Sequence, residues 1–329
     1  MNNRRKLVIA LGASALTAPL CSIAQPQPAR TFRLGVLFAG TLASSETYFR
    51  AFFESLASLG YVEGKNLLVE RRFADGRIDR LDVLAAELVA ARVDIIYAPP
   101  TPAALAAMKA STTVPIVFSM LPDPVLIGLA KSLARPGGNA TGLSTLGSGL
   151  VPKRIELIHE LRPNARAVGL LYDSREPSAR INRDAAVGAA KSRGLSIIEE
   201  SVNLRDQLPA AFAALKKKGA HMLLVFEGSL GFSNRDLLLS LAAANRLPAL
   251  YAYPELPAEG GLMSYSVNNV EQFRRAAVFV DKIFKGTKPS DLPVEQPTRF
   301  ELIVNMKTAK TLGIAFPQSI LVRADRVIE

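Results

Sequence analysis

The stretch DIIYAPPTPAALAAMKASTTVPIVFS, residues 94–119, contains one complete copy of the pattern that decides the fold. Residues 94–98 form a short and largely apolar run that predicts a buried strand. The alanine-rich segment 102–110 predicts a helix, and the apolar run 115–119 predicts a second strand. Short apolar strands separated by a helix of this length are typical of a parallel sheet that is covered on both faces.

The same alternation of strand and helix extends outward from this stretch in both directions. In the first half, the other predicted elements are strands at 33–38 and 66–73 and helices at 44–59 and 81–91. In the second half, strands are predicted at 167–172, 196–202, 221–226 and 249–253, with helices near 178–193, 207–218 and 234–246. Two similar α/β units in tandem predict a protein of two lobes.

Three stretches interrupt the alternation, and we expect the chain to pass between the lobes there. The first is the glycine-rich segment 137–144 (GGNATGLS), and extended stretches follow near 262–268 and 293–303. The helix predicted near 269–285 then returns to the first lobe. The predicted fold is α/β, with two doubly wound parallel-sheet lobes joined by three crossover hinge strands. The first lobe is expected to span 31–143 plus 267–292, and the second 148–262 plus 298–329.

Residues 1–24 have the pattern of a cleaved signal peptide. Arg4, Arg5 and Lys6 precede the uncharged apolar run 7–20, and small residues lie at the −3 and −1 positions for cleavage after Ala24. This run is shorter than the roughly 20 residues that a transmembrane helix needs, which disfavours the alternative of a membrane anchor. We therefore expect a periplasmic protein without stable membrane insertion. Twin-arginine export through the Arg4-Arg5 pair and lipidation at Cys21 stay open as alternatives.

Charge and cysteine content limit the possible partners. The net charge of +11 falls to +8 without the three cations of the leader, and this excess is spread along the chain. Its densest run, residues 216–218 (KKK), lies at a predicted helix end, where cations interact favourably with the helix dipole. We therefore expect no nucleic-acid partner. Cys21 is the single cysteine, so cleavage leaves no disulfide, thiol nucleophile or thiolate metal site.

A cleft between the lobes is the predicted binding site, because ligands of open α/β sheets bind beyond the carboxyl ends of the strands. Candidate ligand-binding residues in the first lobe follow its first, third and fourth strands: Gly40, Thr41, Thr101, Ser119 and Asp123. Candidates in the second lobe and in a predicted hinge strand are Asp173, Ser174, Glu227, Tyr253 and Tyr265.

Several of these candidates have specific expected roles. The Thr101 hydroxyl is predicted to cap the following helix, whose free N–H groups would then hold a ligand carboxylate; alternatively, it only caps. Asp123 and Glu227 are the acids expected to pair with a ligand ammonium group. The alternatives are that Asp123 caps the following helix and that Glu227 is a solvated loop acid. Tyr253 and Tyr265 are candidates for stacking on an aromatic solute, and the alternative for each is a place in the core.

Enzyme motifs are missing from the sequence. The only two histidines, His159 and His221, belong to no metal-ligand spacing and to no nucleophile–base pair. There is no Gly-x-Ser-x-Gly elbow, phosphate-binding loop or dinucleotide fingerprint, and we interpret residues 147–149 (GSG) as a flexible crossing. We therefore expect a protein that is not an enzyme and that uses neither a cofactor nor a metal.

Six motifs follow one another along the chain: GYVEGKN (60–66), ERRFADG (70–76), PDP (122–124), LARPGGNATG (133–142), GGLMSY (260–265) and NMKTAKTLG (305–313). Together they resemble those of one family of ABC transporter substrate-binding proteins. The resemblance covers essentially the whole mature chain. It implies the type 1 periplasmic-binding fold, and some members of the family bind aromatic amino acids such as tryptophan or tyrosine.

The pattern and the resemblance together predict a receptor that closes its two lobes on a small organic solute, with an amino acid or aromatic compound favoured. The solute would then pass to an ABC transporter permease. Closure of this kind is a hinge motion, which a ligand favours through contacts that are better in the closed state. The alternative is a secreted ligand-sensing accessory protein for a membrane receptor.

Overall fold

The predicted alternation forms two separate β-sheets. The computed structural model describes residues 30–228, 231 and 233–329, and the predicted leader at residues 1–24 lies outside them. Residues Phe32–Glu329 make up one compact unit that contains both sheets.

The first sheet has five parallel strands in the order β2-β1-β3-β4-β5. In chain order, its strands and helices are β1 (Phe32–Phe38), α1 (Leu42–Ser58), β2 (Leu67–Phe73), α2 (Leu81–Ala90), β3 (Ile95–Tyr97), α3 (Thr101–Ala110), β4 (Ile116–Leu121) and β5 (Ala140–Ser144). The β1–β2 register pairs Phe32 with Leu67 and Phe38 with Phe73, so the two carboxyl ends lie at the same edge of the sheet.

The second sheet has seven strands in the order β12-β11-β10-β9-β8-β6-β7, and only its β10–β11 pair is antiparallel. In chain order, the elements of this half are α4 (Gly147–Leu161), β6 (Ala167–Tyr172), α5 (Ala179–Lys191), β7 (Ser196–Ser201), α6 (Leu208–Lys217), β8 (Met222–Val225), α7 (Arg235–Ala244), β9 (Ala249–Tyr251), β10 (Met263–Ser266), α8 (Asn269–Phe284), β11 (Glu301–Asn305), α9 (Met306–Leu312), α10 (Gln318–Arg323) and β12 (Arg326–Ile328).

Apolar side chains project from both faces of each sheet, and helices cover both faces. On one face of the first sheet, Leu34 and Val36 pack with Phe52 of α1; on the other face, Leu37 and Ile96 pack with α2 and α3. The stacked rings of Phe52 and Tyr97, with centroids 4.3 Å apart, join α1 to β3. Burial on both faces explains why the strands are almost continuously apolar in sequence.

The chain passes between the lobes three times, which confirms the predicted fold class. The first passage follows β5, the second follows β10, and the third lies between α8 and β11. Helix α8 packs against α1 of the first lobe, where the rings of Tyr48 and Phe273 lie 5.3 Å apart. The third passage pairs with the first, because the Ser144 N–H donates to the Glu295 carbonyl at 2.9 Å.

The structure corrects two details of the glycine-rich region. The predicted crossing segment 137–144 contains a fully buried strand, β5, which pairs with β4. A Cβ at Gly142 would lie 1.9 Å from the Phe118 carbonyl oxygen, so glycine here permits a close approach of two backbones and does not indicate a loop. The interpretation of residues 147–149 as a flexible crossing is wrong, because they form the first turn of α4.

Candidate functional site

A cavity that opens to solvent lies where the carboxyl ends of the two sheets face each other. We call one side the first-lobe wall; it consists of Phe38, Gly40, Pro100, Thr101, Met120 and Pro122. The opposite side is the second-lobe wall, which consists of Glu176, Ser178, Glu227, Gly228, Ala252 and Tyr253. Residues in or beside the passages between the lobes complete the lining: Thr145, Leu150, Ser266, Val267 and Asn269.

The second-lobe wall contains a carboxylate that is fixed by a buried arginine. Arg154 of α4 is fully buried, and its Nη2 and Nη1 donate to Glu227 Oε1 and Oε2 at 2.7 and 3.1 Å. The Glu227 side chain is 21% exposed. Arg154 Nε donates to the Tyr265 carbonyl of β10 at 2.8 Å. One guanidinium therefore joins α4, the loop after β8 and a strand that leads into the second passage.

Tyr253 fixes the same loop from another direction. Its hydroxyl donates to the Gly228 carbonyl at 2.7 Å and accepts from the Gly228 N–H at 2.8 Å. Burial, and then the charge of Glu227, raise the pKa of the Tyr253 hydroxyl well above its usual range. The hydroxyl therefore stays protonated at neutral pH and can donate to the Gly228 carbonyl.

A second carboxylate on this wall comes from Glu176, which is buried in the turn between β6 and α5. The Glu176 N–H donates to the Asp173 carbonyl at 3.1 Å. The side chain of Asp173 accepts from the Arg175 N–H at 2.9 Å and from Arg175 Nη2 at 2.7 Å, which organises the turn. The second-lobe wall thus presents two carboxylates.

The first-lobe wall is built from neutral groups. Thr101 begins α3 and is buried, with its helix start facing the cavity. At the first passage, Thr145 Oγ1 is buried in the cavity lining and has no hydrogen-bond partner in the described part of the chain. No lysine, arginine or histidine lines the cavity among the residues that the structure describes. The electrostatics of the two walls are therefore different.

Direct contacts join the lobes beside the cavity. Arg235 of α7 donates from Nη1 to the Ser44 carbonyl of α1 at 3.1 Å, and its Nε lies 3.2 Å from Glu259 Oε2. Tyr48 of α1 forms a hydrogen bond with Glu255, which belongs to the loop after β9. Burial raises the pKa of Glu255, while the hydrogen bond with Tyr48 acts in the opposite direction. These contacts hold the lobes together without lining the cavity.

Four of the ten predicted site residues line the cavity: Gly40, Thr101, Glu227 and Tyr253. Their contact with a ligand stays a prediction. The predicted cap by the Thr101 hydroxyl is wrong, since the N-cap of α3 is Pro100 and no side chain makes a cap hydrogen bond. The alternative of Glu227 as a solvated loop acid is also wrong, because the carboxylate pairs with the buried Arg154.

The other six predicted site residues are absent from the cavity lining and have partners elsewhere. Thr41 caps α1 through the Ser44 N–H at 3.1 Å, and the Ser119 hydroxyl lies 2.7 Å from that of Tyr97. Asp123 Oδ1 accepts from the N–H groups of the turn that follows it. The remaining three are engaged as follows: Asp173 with Arg175, Ser174 with Asn203, and the Tyr265 ring with Phe300.

Sequence reasoning missed Arg154, Glu176 and Thr145. A signal for Arg154 was present, because it occupies a position in the apolar stripe of α4 that contains Leu150, Val151 and Ile155. A charged residue in such a stripe needs a partner of opposite charge, which here is Glu227. No comparable periodicity pointed to Glu176 or Thr145, which lie in irregular segments.

The described residues offer neither a membrane-spanning helix nor a clustered metal site. None of their helices combines the length and apolar character that crossing a membrane requires. Their histidine, cysteine, aspartate and glutamate side chains form no group of three or more suited to holding a metal ion.

Two α/β lobes that face each other across a cavity define the class of two-lobed binding proteins. Residues 43–328 match the family described as ABC transporter substrate binding protein, and the chain belongs to this family. A tyrosine-binding protein of Clostridioides difficile is 28% identical over 265 residues, which are 80% of this chain and 76% of that protein.

Solved structures show the same architecture. A conserved domain protein from Vibrio cholerae has a TM-score of 0.86 at 26% identity, with 91% of this chain and all of that chain covered. An ABC domain from Streptococcus pneumonia in complex with L-Trp has a TM-score of 0.83 at 25% identity, with 91% and 100% covered. A ligand-free, open substrate-binding protein with adhesive properties from Clostridium difficile has a TM-score of 0.65 at 25% identity, with 91% and 99% covered.

Proposed function

We propose that this protein is an extracytoplasmic receptor that closes on one amino acid, preferably aromatic, and delivers it to an ABC transporter permease. The observation that carries the proposal is the cavity between the lobes, which has carboxylates on one wall and neutral groups on the other. Family membership supports the general role of solute binding.

The charge distribution favours a solute with an ammonium group. Glu176 and Glu227 both line the cavity, and Arg154 holds the Glu227 carboxylate in place from inside the second lobe. A carboxylate that accepts hydrogen bonds from an ammonium group forms a charge-assisted contact, which is stronger than a neutral one. The solute carboxylate would lie toward the first-lobe wall, because the positive end of the α3 dipole is at Thr101.

The apolar part of the lining favours an aromatic side chain. Phe38 and Tyr253 come from opposite walls, and Met120 adds a flexible apolar surface. A related protein is named for tyrosine binding, and a related structure holds L-Trp. These names support an aromatic amino acid as the first solute to test.

The relative placement of the two lobes is more similar to that in a related solute complex than to that in a related open structure, which supports a closed form. The L-Trp complex and the ligand-free, open relative are equally similar in sequence at 25% identity, yet their TM-scores are 0.83 and 0.65. Sequence divergence therefore does not account for the better match to the complex. The contact from Arg235 to Ser44 is also a bond that opening of the lobes would break.

Export and delivery are the remaining parts of the proposal. The signal-peptide pattern of residues 1–24 supports a location outside the cytoplasm. Membership of an ABC transporter family supports a permease as the partner that receives the solute.

The proposal is tested by thermal unfolding of the chain from Gln25 onward in the presence of each of the twenty amino acids. A solute at 100 times its dissociation constant adds about 2.7 kcal/mol to the free energy of unfolding, which raises the melting temperature measurably. We expect dose-dependent rises with L-tyrosine, L-tryptophan or L-phenylalanine. A folded protein that responds to none of the twenty would contradict the proposed solute class.

Delivery needs a separate test in cells. We expect uptake of the labelled solute to fall when the gene is deleted and to recover when it is restored. Unchanged uptake, with binding intact, would contradict the transport role and favour a sensing role.

A further inference from the structure

We propose that Arg154 is a positioning residue, which fixes the cavity-facing carboxylate of Glu227 and couples it mechanically to hinge strand β10. This inference rests on the proposed function, because it assigns Arg154 a part in solute binding although Arg154 does not line the cavity. Three hydrogen bonds carry it: two to the carboxylate of Glu227 and one to the carbonyl of Tyr265.

The geometry of the Arg154 contact restricts the movement of Glu227. Both carboxylate oxygens accept from separate guanidinium nitrogens, at 2.7 and 3.1 Å, so the planar fork fixes the rotation of the carboxylate as well as its position. Tyr253 holds the adjacent Gly228 at both its N–H and its carbonyl. The wall that presents Glu227 to the solute is therefore preorganised from two sides.

Stability alone is a poor explanation for an arginine at this position. Arg154 lies in the apolar stripe of α4, where an apolar side chain would pack without the cost of removing a charge from water. Replacing a buried ion pair with apolar residues is often neutral or stabilising, because the attraction must first offset the desolvation of both charges. What the arginine adds is a fixed orientation for a carboxylate at the cavity surface.

The third hydrogen bond connects this carboxylate to the hinge. Tyr265 lies in β10, directly before Ser266, which lines the cavity, and the second passage begins at Val267. Tyr265 is also opposite Leu302 of β11, the strand in which the third passage ends. Because the guanidinium is rigid, a solute that shifts Glu227 transmits force to the strands at two of the three passages.

The test is a double-mutant cycle on the mature chain, with L-tyrosine and L-tryptophan as probes in calorimetric titrations. The variants are Arg154→Lys, Glu227→Gln, Arg154→Met and the double variant Arg154→Met/Glu227→Gln. Arg183→Lys is the matched control, because Arg183 pairs with Glu199 in the same lobe on an exposed surface. The double variant removes both charges, so it leaves no unpaired buried charge if the Arg154→Met single variant fails to fold.

We expect Arg154→Lys to weaken binding by about tenfold or more, because lysine keeps the charge but loses the fork, whereas Arg183→Lys changes binding by less than about twofold. In the Glu227→Gln background, adding Arg154→Met should weaken binding by less than about twofold, because Arg154 acts through Glu227. A purely structural arginine would lower the melting temperature and leave solute affinity unchanged. Wild-type affinity in the Arg154→Lys variant would overturn the proposal.

A measurement without solute separates this proposal from the choice of solute. Hydrogen exchange of the backbone amides at 263–268 should be faster in Arg154→Lys than in wild type and in Arg183→Lys. Unchanged exchange there would overturn the coupling to the hinge. If the wild type binds neither probe, the proposed solute class fails, and the exchange result alone decides the role of Arg154.

Discussion

The two walls of the cavity differ in how their chemistry is supplied. The first-lobe wall offers strand ends, a helix start and neutral side chains such as Phe38 and Thr101. The second-lobe wall offers the carboxylates of Glu176 and Glu227, with Glu227 held by a buried arginine from behind. Under the proposed function, the second-lobe wall would bind the ammonium group of the solute, and the start of α3 on the first-lobe wall would face its carboxylate.

This division has a physical basis in the cost of burying charge. A buried carboxylate is stable only if it is paired or fully hydrogen-bonded, and Arg154 provides a pair that is already formed inside one lobe. A neutral first-lobe wall adds no further charge that closure of the lobes would have to remove from water. The two walls are therefore suited to opening and closing between them.

The largest expected effect comes from removing the charge of Glu227 from the second-lobe wall. Glu227→Gln leaves the buried Arg154 without its counter-charge, so we expect the free energy of unfolding to fall by about 3 kcal/mol, together with weaker solute binding. Urea denaturation and titration calorimetry measure the two effects. In the same lobe, Glu199→Gln is the control and should cause a much smaller loss, because its ion pair is more exposed. Equal losses in the two variants would remove the distinction.

The next effect concerns the loop that carries Glu227. Tyr253→Phe removes both hydrogen bonds to Gly228, and we expect the free energy of unfolding to fall by about 1–3 kcal/mol because these groups are buried. Tyr172→Phe is the matched control, since Tyr172 donates to Glu199 from a less buried position. If Tyr253→Phe is as stable as Tyr172→Phe and keeps full solute affinity, the two hydrogen bonds from Tyr253 are not needed to hold the loop that carries Glu227.

A smaller effect tests how the two walls are held against each other. Arg235→Gln weakens the bond to the Ser44 carbonyl, so solute should dissociate faster and affinity should fall by about 1 kcal/mol. The free energy of unfolding without solute should change less than the affinity does. Stopped-flow measurement of solute release checks this, with Arg183→Gln as the control inside one lobe. Wild-type release rates would exclude Arg235 from closure.

The smallest effect separates two buried threonines at the edge of the first lobe. Thr145→Val removes a hydroxyl that has no partner in the described part of the chain, so affinity should fall by about 0.5 kcal/mol while stability without solute does not fall. Thr141→Val removes a 2.7 Å hydrogen bond to the Leu292 carbonyl, so stability should fall and affinity should not. Paired urea and calorimetric titrations compare the variants. The opposite pattern would mean that Thr145 does not face the solute.

The fold was predictable from the sequence because the spacing of apolar residues along the chain reflects which side chains are buried. Strands β1 and β6 are apolar at successive positions because both faces of their sheets are covered. This pattern is visible in the local sequence without knowledge of the neighbouring strands. One exception was β5, whose Gly142 resembles a loop signal but permits contact with the Phe118 carbonyl. That requirement depends on a neighbouring strand, which local sequence does not reveal.

The candidate site was less predictable, because its chemistry depends on contacts between distant segments. Glu227 was expected from its place after a strand, but its partner Arg154 is 73 residues away and lies on a helix. Asp123 had the same kind of position, yet its carboxylate accepts from the N–H groups of its own turn. Topology identifies the edge of the sheet where a site forms, and side-chain pairing decides which residues face the cavity.

The most direct test of the account compares L-tyrosine with two analogues in titration calorimetry of the chain from Gln25 onward. Tyramine lacks the carboxylate, and 3-(4-hydroxyphenyl)propionate lacks the ammonium group. Because the carboxylates lie on the second-lobe wall and no cationic side chain lines the cavity in the described residues, we predict the larger loss, at least about tenfold, for the analogue without ammonium. Binding of that analogue as tight as that of L-tyrosine would contradict the account.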